Sequence, residues 1–201
     1  MLRIGHRGAA ALAPPNSVAG FRAALAAGVD MIEFDVAPGL VVAHDAGHAG
    51  PALGAFLDQV GELLPAGVGL LVDLKLAGYE LEAVAACQAA GLLDRCLFAT
   101  LERSSIELLR GRVRTSFSFN RRRPGAAAPL LRRVAVERWL RSGADDATIR
   151  HSLITPALVE TVQERGGRVL AWTVNSREQV GRMRTLGVDG VISDDPRLLS
   201  L

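Results

Sequence analysis

Met31-Ile32-Glu33-Phe34-Asp35-Val36 reads as a buried strand that carries two acids. Strand side chains alternate between faces, so Glu33 and Asp35 share one face while Ile32, Phe34 and Val36 share the other. Two carboxylates on one face of a buried strand are costly unless something compensates them. A hard divalent cation bound through oxygen is the simplest compensation; ion pairs with Arg7 and Lys75 are the alternative. Working outward, His6-Arg7 ends the preceding strand and His44 follows in Val41-Val42-Ala43-His44-Asp45. Oxygen ligands, two histidines and an arginine form a set suited to phosphate ester chemistry.

Beyond this stretch, strand and helix signals alternate along the whole chain. The first strand is Arg3 to His6, and a helix over 17–27 follows with Asn16 or Ser17 as its cap and Gly28 as its stop. After the acidic strand, 40–44 reads as a short extended segment and 52–64 has helical spacing of apolar residues. Further strands fall at 69–75, 96–100, 114–119, weakly within 145–153, at 168–174 and at 190–194. Helices fall at 80–90, 105–110, 129–141, after Thr155-Pro156, and at 176–186. Eight strands each followed by helical sequence predict a parallel (β/α)8 barrel, the TIM barrel of the α/β class. Gly28-Val29-Asp30 and Gly187-Val188-Asp189 each join a helix to the next strand, as repeated units would. An open doubly wound sheet is the rival, but Gly5-His6-Arg7-Gly8 lacks the spacing of a dinucleotide-binding turn. In a barrel, polar residues at strand C-terminal ends share one mouth. His6, Glu33, Asp35, Asp73, Lys75, Trp172 and Asp194 all fall at or near such ends.

Composition narrows the classes. A length of 201 residues suits one domain, 1–201, with a sizeable core. That length is near the lower limit for such a barrel, so its loops must be short. Hydrophobic residues make up 49% but aromatics only 4%, so the core must be aliphatic. A net charge of +2 gives no electrostatic case for a nucleic-acid partner. No apolar run approaches a membrane span. Strand and turn begin by residue 2, so no leader is expected before the fold, and the expected location is cytoplasmic. Cys87 and Cys96 lack metal-ligand spacing and read as reduced core residues. Lys75 is the only lysine, and alternation puts it on the same face as Asp73.

His6-Arg7, then Glu33-Phe34-Asp35, then His44 is a series similar to the signature of the glycerophosphodiester phosphodiesterases. The resemblance continues through Val72-Asp73-Leu74-Lys75, Ala171-Trp172-Thr173-Val174-Asn175 and Gly187 to Pro196, in order. It implies a TIM barrel and metal-dependent hydrolysis of glycerophosphodiesters to glycerol 3-phosphate and an alcohol. It implies one divalent cation, Mg²⁺ or Ca²⁺, held by Glu33, Asp35 and Asp73. It also implies His6 and His44 as the acid–base pair, Arg7 and Lys75 as cations for a small phosphodiester substrate, and Trp172 as an apolar wall. Asp73 stands where the family usually has Glu, and Pro15 where it usually has Glu after the first strand. The segment from Asp45 to Val72, where relatives often carry a small helical insertion, is short. These departures motivate a second reading, a weakened, non-catalytic binder of phosphodiesters; a related lysophospholipid phosphodiesterase is a third, which an exposed apolar groove at the mouth would favour. Asp194-Asp195-Pro196 is read as the cap of the last helix, Arg121-Arg122-Arg123 as a solvated loop, and His48 and His151 as surface or loop residues.

Overall fold

The computed structural model describes residues 1–45, 47–119 and 128–200. Eight strands close into a barrel in sequence order: β1 (Leu2–Gly5), β2 (Met31–Val36), β3 (Gly69–Leu74), β4 (Cys96–Thr100), β5 (Arg114–Phe119), β6 (Asp146–Arg150), β7 (Val169–Trp172) and β8 (Gly190–Ser193). Every neighbouring pair is parallel, and β8 pairs back onto β1 with Gly5 opposite Ser193. The helices α1 (Val18–Ala26), α2 (Leu53–Gly61), α3 (Glu80–Ala89), α4 (Arg103–Leu109), α5 (Ala128–Ser142), α6 (Pro156–Gln163) and α7 (Arg177–Thr185) supply the crossovers. The TIM barrel expected from the alternating pattern is therefore the fold.

Local chemistry accounts for the element ends. Ser17, Thr155 and Ser176 cap α1, α6 and α7 by accepting a backbone N–H from the first turn. The extended segment expected at 40–44 is reduced to single bridges, Ala37 with Val41 and Val41 with Ala52. Gly39 and Leu40 both take positive φ, which turns the chain before a strand can run on. The last helix is only a 3₁₀ turn, Pro196–Leu199. Its cap is Asp195, which accepts from the Arg197 N–H; Asp194 is used elsewhere. His151 is half-buried in the 3₁₀ turn after β6, and the His48 side chain is 71% exposed. The arginine cluster 121–123 lies outside the described residues.

Two layers of apolar side chains hold the barrel. Inside, Ile4, Met31, Leu71, Leu97, Ala99, Leu170 and Ile192 form one cluster. Outside, Ile32, Phe34 and Val36 turn from β2 toward the helices. There Phe34 meets Phe21 of α1 and Phe56 of α2, with ring centroids 5.8 and 5.5 Å away. Phe21 and Phe56 pack edge to face at 5.1 Å. Such pairs contribute about 0.5–1.5 kcal/mol each beyond their buried area. Cys87 and Cys96 are buried with free thiols, as expected. Among the described residues no helix is long and apolar enough to cross a membrane.

At the N-terminal end of the barrel, Asp146 is fully buried and bound by Arg114 at 2.8 Å and Arg168 at 2.7 Å. Burial alone would raise its carboxyl, but the two guanidinium groups outweigh that and hold it below the usual carboxylate range. The bonus this lowering gives is complete above the unfolded carboxyl value, near pH 4, and is lost as pH falls through the depressed value. Asp146→Ala removes the buried partner of two partly exposed arginines, and the expected loss is about 1.5–3 kcal/mol of unfolding free energy at pH 7, read by urea denaturation. The difference from wild type should shrink below about pH 4.

Candidate active site

Strand alternation aims one residue set of each strand into the barrel, and at the C-terminal ends that set is polar. Met31 joins the inner cluster, so Glu33 and Asp35 follow it on the inner face. The same parity puts His6 after Ile4, Asp73 and Lys75 after Leu71, and Trp172 after Leu170. In register, Asp35 of β2 stands beside Asp73 of β3. A cavity of about 590 Å³, counted with its open mouth, is lined by His6, Arg7, Glu33, Asp73, Lys75 and Trp172, and also by Leu101, Ser118 and Thr148.

The turn after β1 is built for Arg7. Arg7 itself has φ of 51°, and its backbone N–H donates to Glu33 Oε2 at 2.7 Å. Gly8 follows at φ of 85°, where an added Cβ would meet the Gly20 backbone at 2.6 Å. Only glycine fits there without moving α1. The Arg7 Nε lies 3.0 Å from Asp35 Oδ2, and the side chain stays 26% exposed toward the mouth.

The three carboxylates are close. One oxygen each from Glu33, Asp35 and Asp73 lies within 4.8 Å of the others. Lys75 Nζ sits 2.5 Å from both Asp35 Oδ1 and Asp73 Oδ2. Asn16 grips Asp35 from the other side: its Nδ2 donates to Oδ2 at 2.9 Å, and its Oδ1 accepts the Asp35 N–H at 3.1 Å. Asn16 was expected only as a helix starter; its positive φ of 55° instead turns its amide onto the acidic strand.

Charges set the protonation states. Arg7 and Lys75 provide two positive charges against three acids, and His6 is shared with Asp194. Burial, then the Asp35 charge, push Glu33 up to about 8. Burial would also raise Asp35, but Lys75, Arg7 and the Asn16 hydrogen bond hold it below the ordinary range. Asp73 is raised, chiefly by burial, despite Lys75. Burial opposes the Lys75 charge, yet Asp73, Asp35 and Glu33 together raise its pKa. A divalent cation fits this donor set. The oxygens are hard, once Glu33 gives up its proton they carry one more negative charge than Arg7 and Lys75, and the buried Asp35 Oδ1 accepts no aligned hydrogen bond. Glu33, Asp35 and Asp73 are the residues that could hold it.

His6 Nδ1 lies 2.5 Å from Asp194 Oδ1, and its Nε2 faces Glu33 Oε2 at 3.9 Å. Burial lowers the imidazole, but Glu33 and Asp194 outweigh it and the net shift is upward. Asp194 is held in turn by Asn175 Nδ2. Asp194, at the mouth by its place in the sequence but read there as a cap, is thus the partner of His6. The signal available was closure: β8 pairs with β1, so the residue after Ser193 comes beside the residue after Gly5. His44 is not among the residues lining the cavity. It lies on the loop after β2, 40% exposed, with Nδ1 2.7 Å from Asp45. The Trp172 indole N–H donates to the Thr148 carbonyl at 3.2 Å, which fixes its ring at the cavity wall.

Comparison with known proteins agrees with this geometry. A glycerophosphodiester phosphodiesterase from Caldanaerobacter subterraneus is 25% identical over 247 aligned positions, covering 98% of this chain and 96% of the relative. The crystal structure of a glycerophosphodiester phosphodiesterase from Parabacteroides distasonis superposes with a TM-score of 0.76 at 16% identity, over 96% of this chain and 92% of that one. An Oleispira antarctica phosphodiesterase, solved in complex with the product sn-glycerol-3-phosphate, superposes with a TM-score of 0.72 at 21% identity, over 96% of this chain and 93% of that one. The glycerophosphoryl diester phosphodiesterase family model matches residues 6–50 and 109–198, which take in His6, Arg7, Glu33, Asp35, His44, Trp172 and Asp194, while Asp73 and Lys75 fall between the matched segments. With more than half of its length matched and the acidic strand inside the match, the chain belongs to the glycerophosphoryl diester phosphodiesterase family.

Proposed function

We propose that this protein hydrolyses glycerophosphodiesters to glycerol 3-phosphate and an alcohol, using one divalent cation, Mg²⁺ or Ca²⁺, held by Glu33, Asp35 and Asp73. The observation that carries this reading is the gathering of three carboxylates within 4.8 Å, of which Glu33 and Asp73 line a cavity together with His6 and Arg7 while Asp35 lies buried behind them. The product complex of the Oleispira antarctica relative supports the substrate class. When bound, the ion supplies Lewis-acid charge against the negative charge that develops on the phosphoryl oxygens. Arg7 presents a planar fork to the same phosphate, and Lys75 adds a second positive charge. Asp194 fixes the His6 ring through Nδ1, so Nε2 is the atom that gives or takes a proton at the site. His44 is the second proton carrier in this reading; its Nδ1 is turned to Asp45, which leaves Nε2 to work. Trp172 provides the apolar wall against which substrate carbons pack. The test is glycerol 3-phosphate release from glycerophosphocholine, with and without EDTA. Release that stops with chelator and returns with Mg²⁺ or Ca²⁺ supports the reading; release unaffected by chelator removes the ion from it, and no release with any divalent ion favours a phosphodiester-binding role.

The proton on Glu33 gives a second check. With no metal bound, a carboxyl pushed up to about 8 keeps its proton at neutral pH, and a cation must expel it. Metal affinity is therefore expected to rise about tenfold per pH unit up to about pH 8 and then level off. Calorimetry in buffers of different ionisation enthalpy should show about one proton released per ion near pH 7. A pH-independent affinity with no proton release would contradict it.

One feature favours lysophospholipids as further substrates. Leu76 and Leu101, beyond the ends of β3 and β4, are 46% and 49% exposed, and Leu101 also lines the cavity. An acyl chain leaving the mouth on that side would cover both. Choline release from lysophosphatidylcholine would then fall in Leu101→Ser, with glycerophosphocholine turnover unchanged.

A further inference from the structure

Arg150, one strand repeat beyond the lining residue Thr148, is a cation that the proposed mechanism leaves unused. Along β6, Asp146, Thr148 and Arg150 share one face, and Thr148 lines the cavity. Arg150 therefore stands one repeat above Thr148, toward the open end. Its register partner on β7 is Trp172, which also lines the cavity. In the closed order β6 is four strands from β2 in either direction, so Arg150 faces the acidic strand across the mouth.

Arg150 differs from the other site cations in its partners. Arg7 faces Asp35, and Lys75 faces Asp35 and Asp73. Among the described residues Arg150 has no carboxylate partner; its Nε, like that of Arg7, is buried without an aligned hydrogen bond, but Arg7 Nε has Asp35 Oδ2 at 3.0 Å and Arg150 has no such neighbour. The next two residues continue the pattern: His151 Nδ1 and Ser152 Oγ are also buried and unpartnered. Burial, Arg150 and Arg182 push the His151 imidazole down, so near neutral pH the positive charge at this end of β6 is that of Arg150. Arg150 itself is not among the lining residues, but both its β6 neighbour on the same face, Thr148, and its register partner, Trp172, are; a half-buried guanidinium with an orphaned donor there is costly unless an anion completes it.

We propose that Arg150 is a specificity-determining residue that binds a second anionic group, a terminal phosphate, on the substrate's leaving alcohol. The scissile phosphate belongs on the β2–β3 side with Arg7 and the acids; the alcohol crosses the mouth past Trp172, and its anion meets Arg150. This inference rests on the proposed diester hydrolysis and names the class of diester the site prefers.

The test compares two diesters that differ only in the distal group: glycerophosphoglycerol, and the same molecule carrying a terminal phosphate on the leaving glycerol. Wild-type protein is expected to favour the phosphorylated diester in kcat/KM by about 10- to 100-fold, the effect of one charge-assisted pair. Arg150→Gln should remove that preference and leave glycerophosphoglycerol turnover within about twofold of wild type. Arg150→Lys, which keeps the charge but not the fork, should retain part of it and serves if the Gln variant does not fold. Equal losses on both diesters would place Arg150 at the scissile phosphate and overturn the proposal, as would an unchanged ratio. If wild-type protein turns over neither diester under any divalent ion, the hydrolase reading itself fails, and this inference with it.

Discussion

Asp35→Asn is expected to lower glycerol 3-phosphate release by about 10³-fold or more. Asp35 is the fully buried member of the acidic trio, and it touches everything: Arg7 at 3.0 Å, Lys75 at 2.5 Å and both ends of the Asn16 amide. Removing one preorganised electrostatic group from an active site commonly costs 10²–10³ in rate. Here the same change also takes away a proposed metal ligand. Loss of a supporting group alone weakens metal binding about 10- to 100-fold, so loss of a ligand should exceed that. Asparagine keeps the shape and one carbonyl oxygen, so the fold should survive with a stability loss of about 3 kcal/mol from the two cations left unbalanced. The measurement pairs turnover at saturating Mg²⁺ with a urea denaturation curve. A folded variant that hydrolyses at wild-type rate would show that Asp35 serves structure alone.

His6→Gln is expected to lower kcat by about 10²–10⁴, the usual worth of a positioned proton donor or acceptor, with little change in metal affinity. The arrangement that makes His6 effective is its bond to Asp194, 2.5 Å from Nδ1, which fixes the tautomer and leaves Nε2 facing the site. Asp194→Asn should therefore have its own signature. It removes one of the two negative charges that raise the imidazole, so the pH–rate limb belonging to His6 should move to lower pH. A merely structural Asp194 would lower the rate without moving that limb.

Much of this was legible in the strands. The alternation of Met31-Ile32-Glu33-Phe34-Asp35-Val36 put both acids on the inner face and Phe34 among the helices, and the structure follows it residue by residue. The third acid and its lysine were also readable, because Asp73 and Lys75 obey the same parity on the next strand. Closure put Asp194 at the mouth, but its particular partner was not legible. Asp194 reaches His6 across 188 residues of chain, through a pairing that exists only once the barrel is complete. Asn16 was hidden for a different reason: a positive φ aims its side chain, and no local pattern marks such a turn at a residue that also suits a helix start. The sixth strand read weakly because its inner face alternates Asp146, Thr148 and Arg150, a polar series that apolar periodicity does not detect. That polar face is where the unused cation sits.

The central claim is that Glu33, Asp35 and Asp73 jointly hold a divalent ion beside His6. Anomalous diffraction from crystals grown with Mn²⁺ and glycerol 3-phosphate examines it most directly. The expected result is one peak within bonding distance of all three carboxylates, with the product phosphate on the ion and on Arg7. A map with no peak there, and the Lys75 ammonium still spanning Asp35 and Asp73 beneath a bound phosphate, would contradict the account.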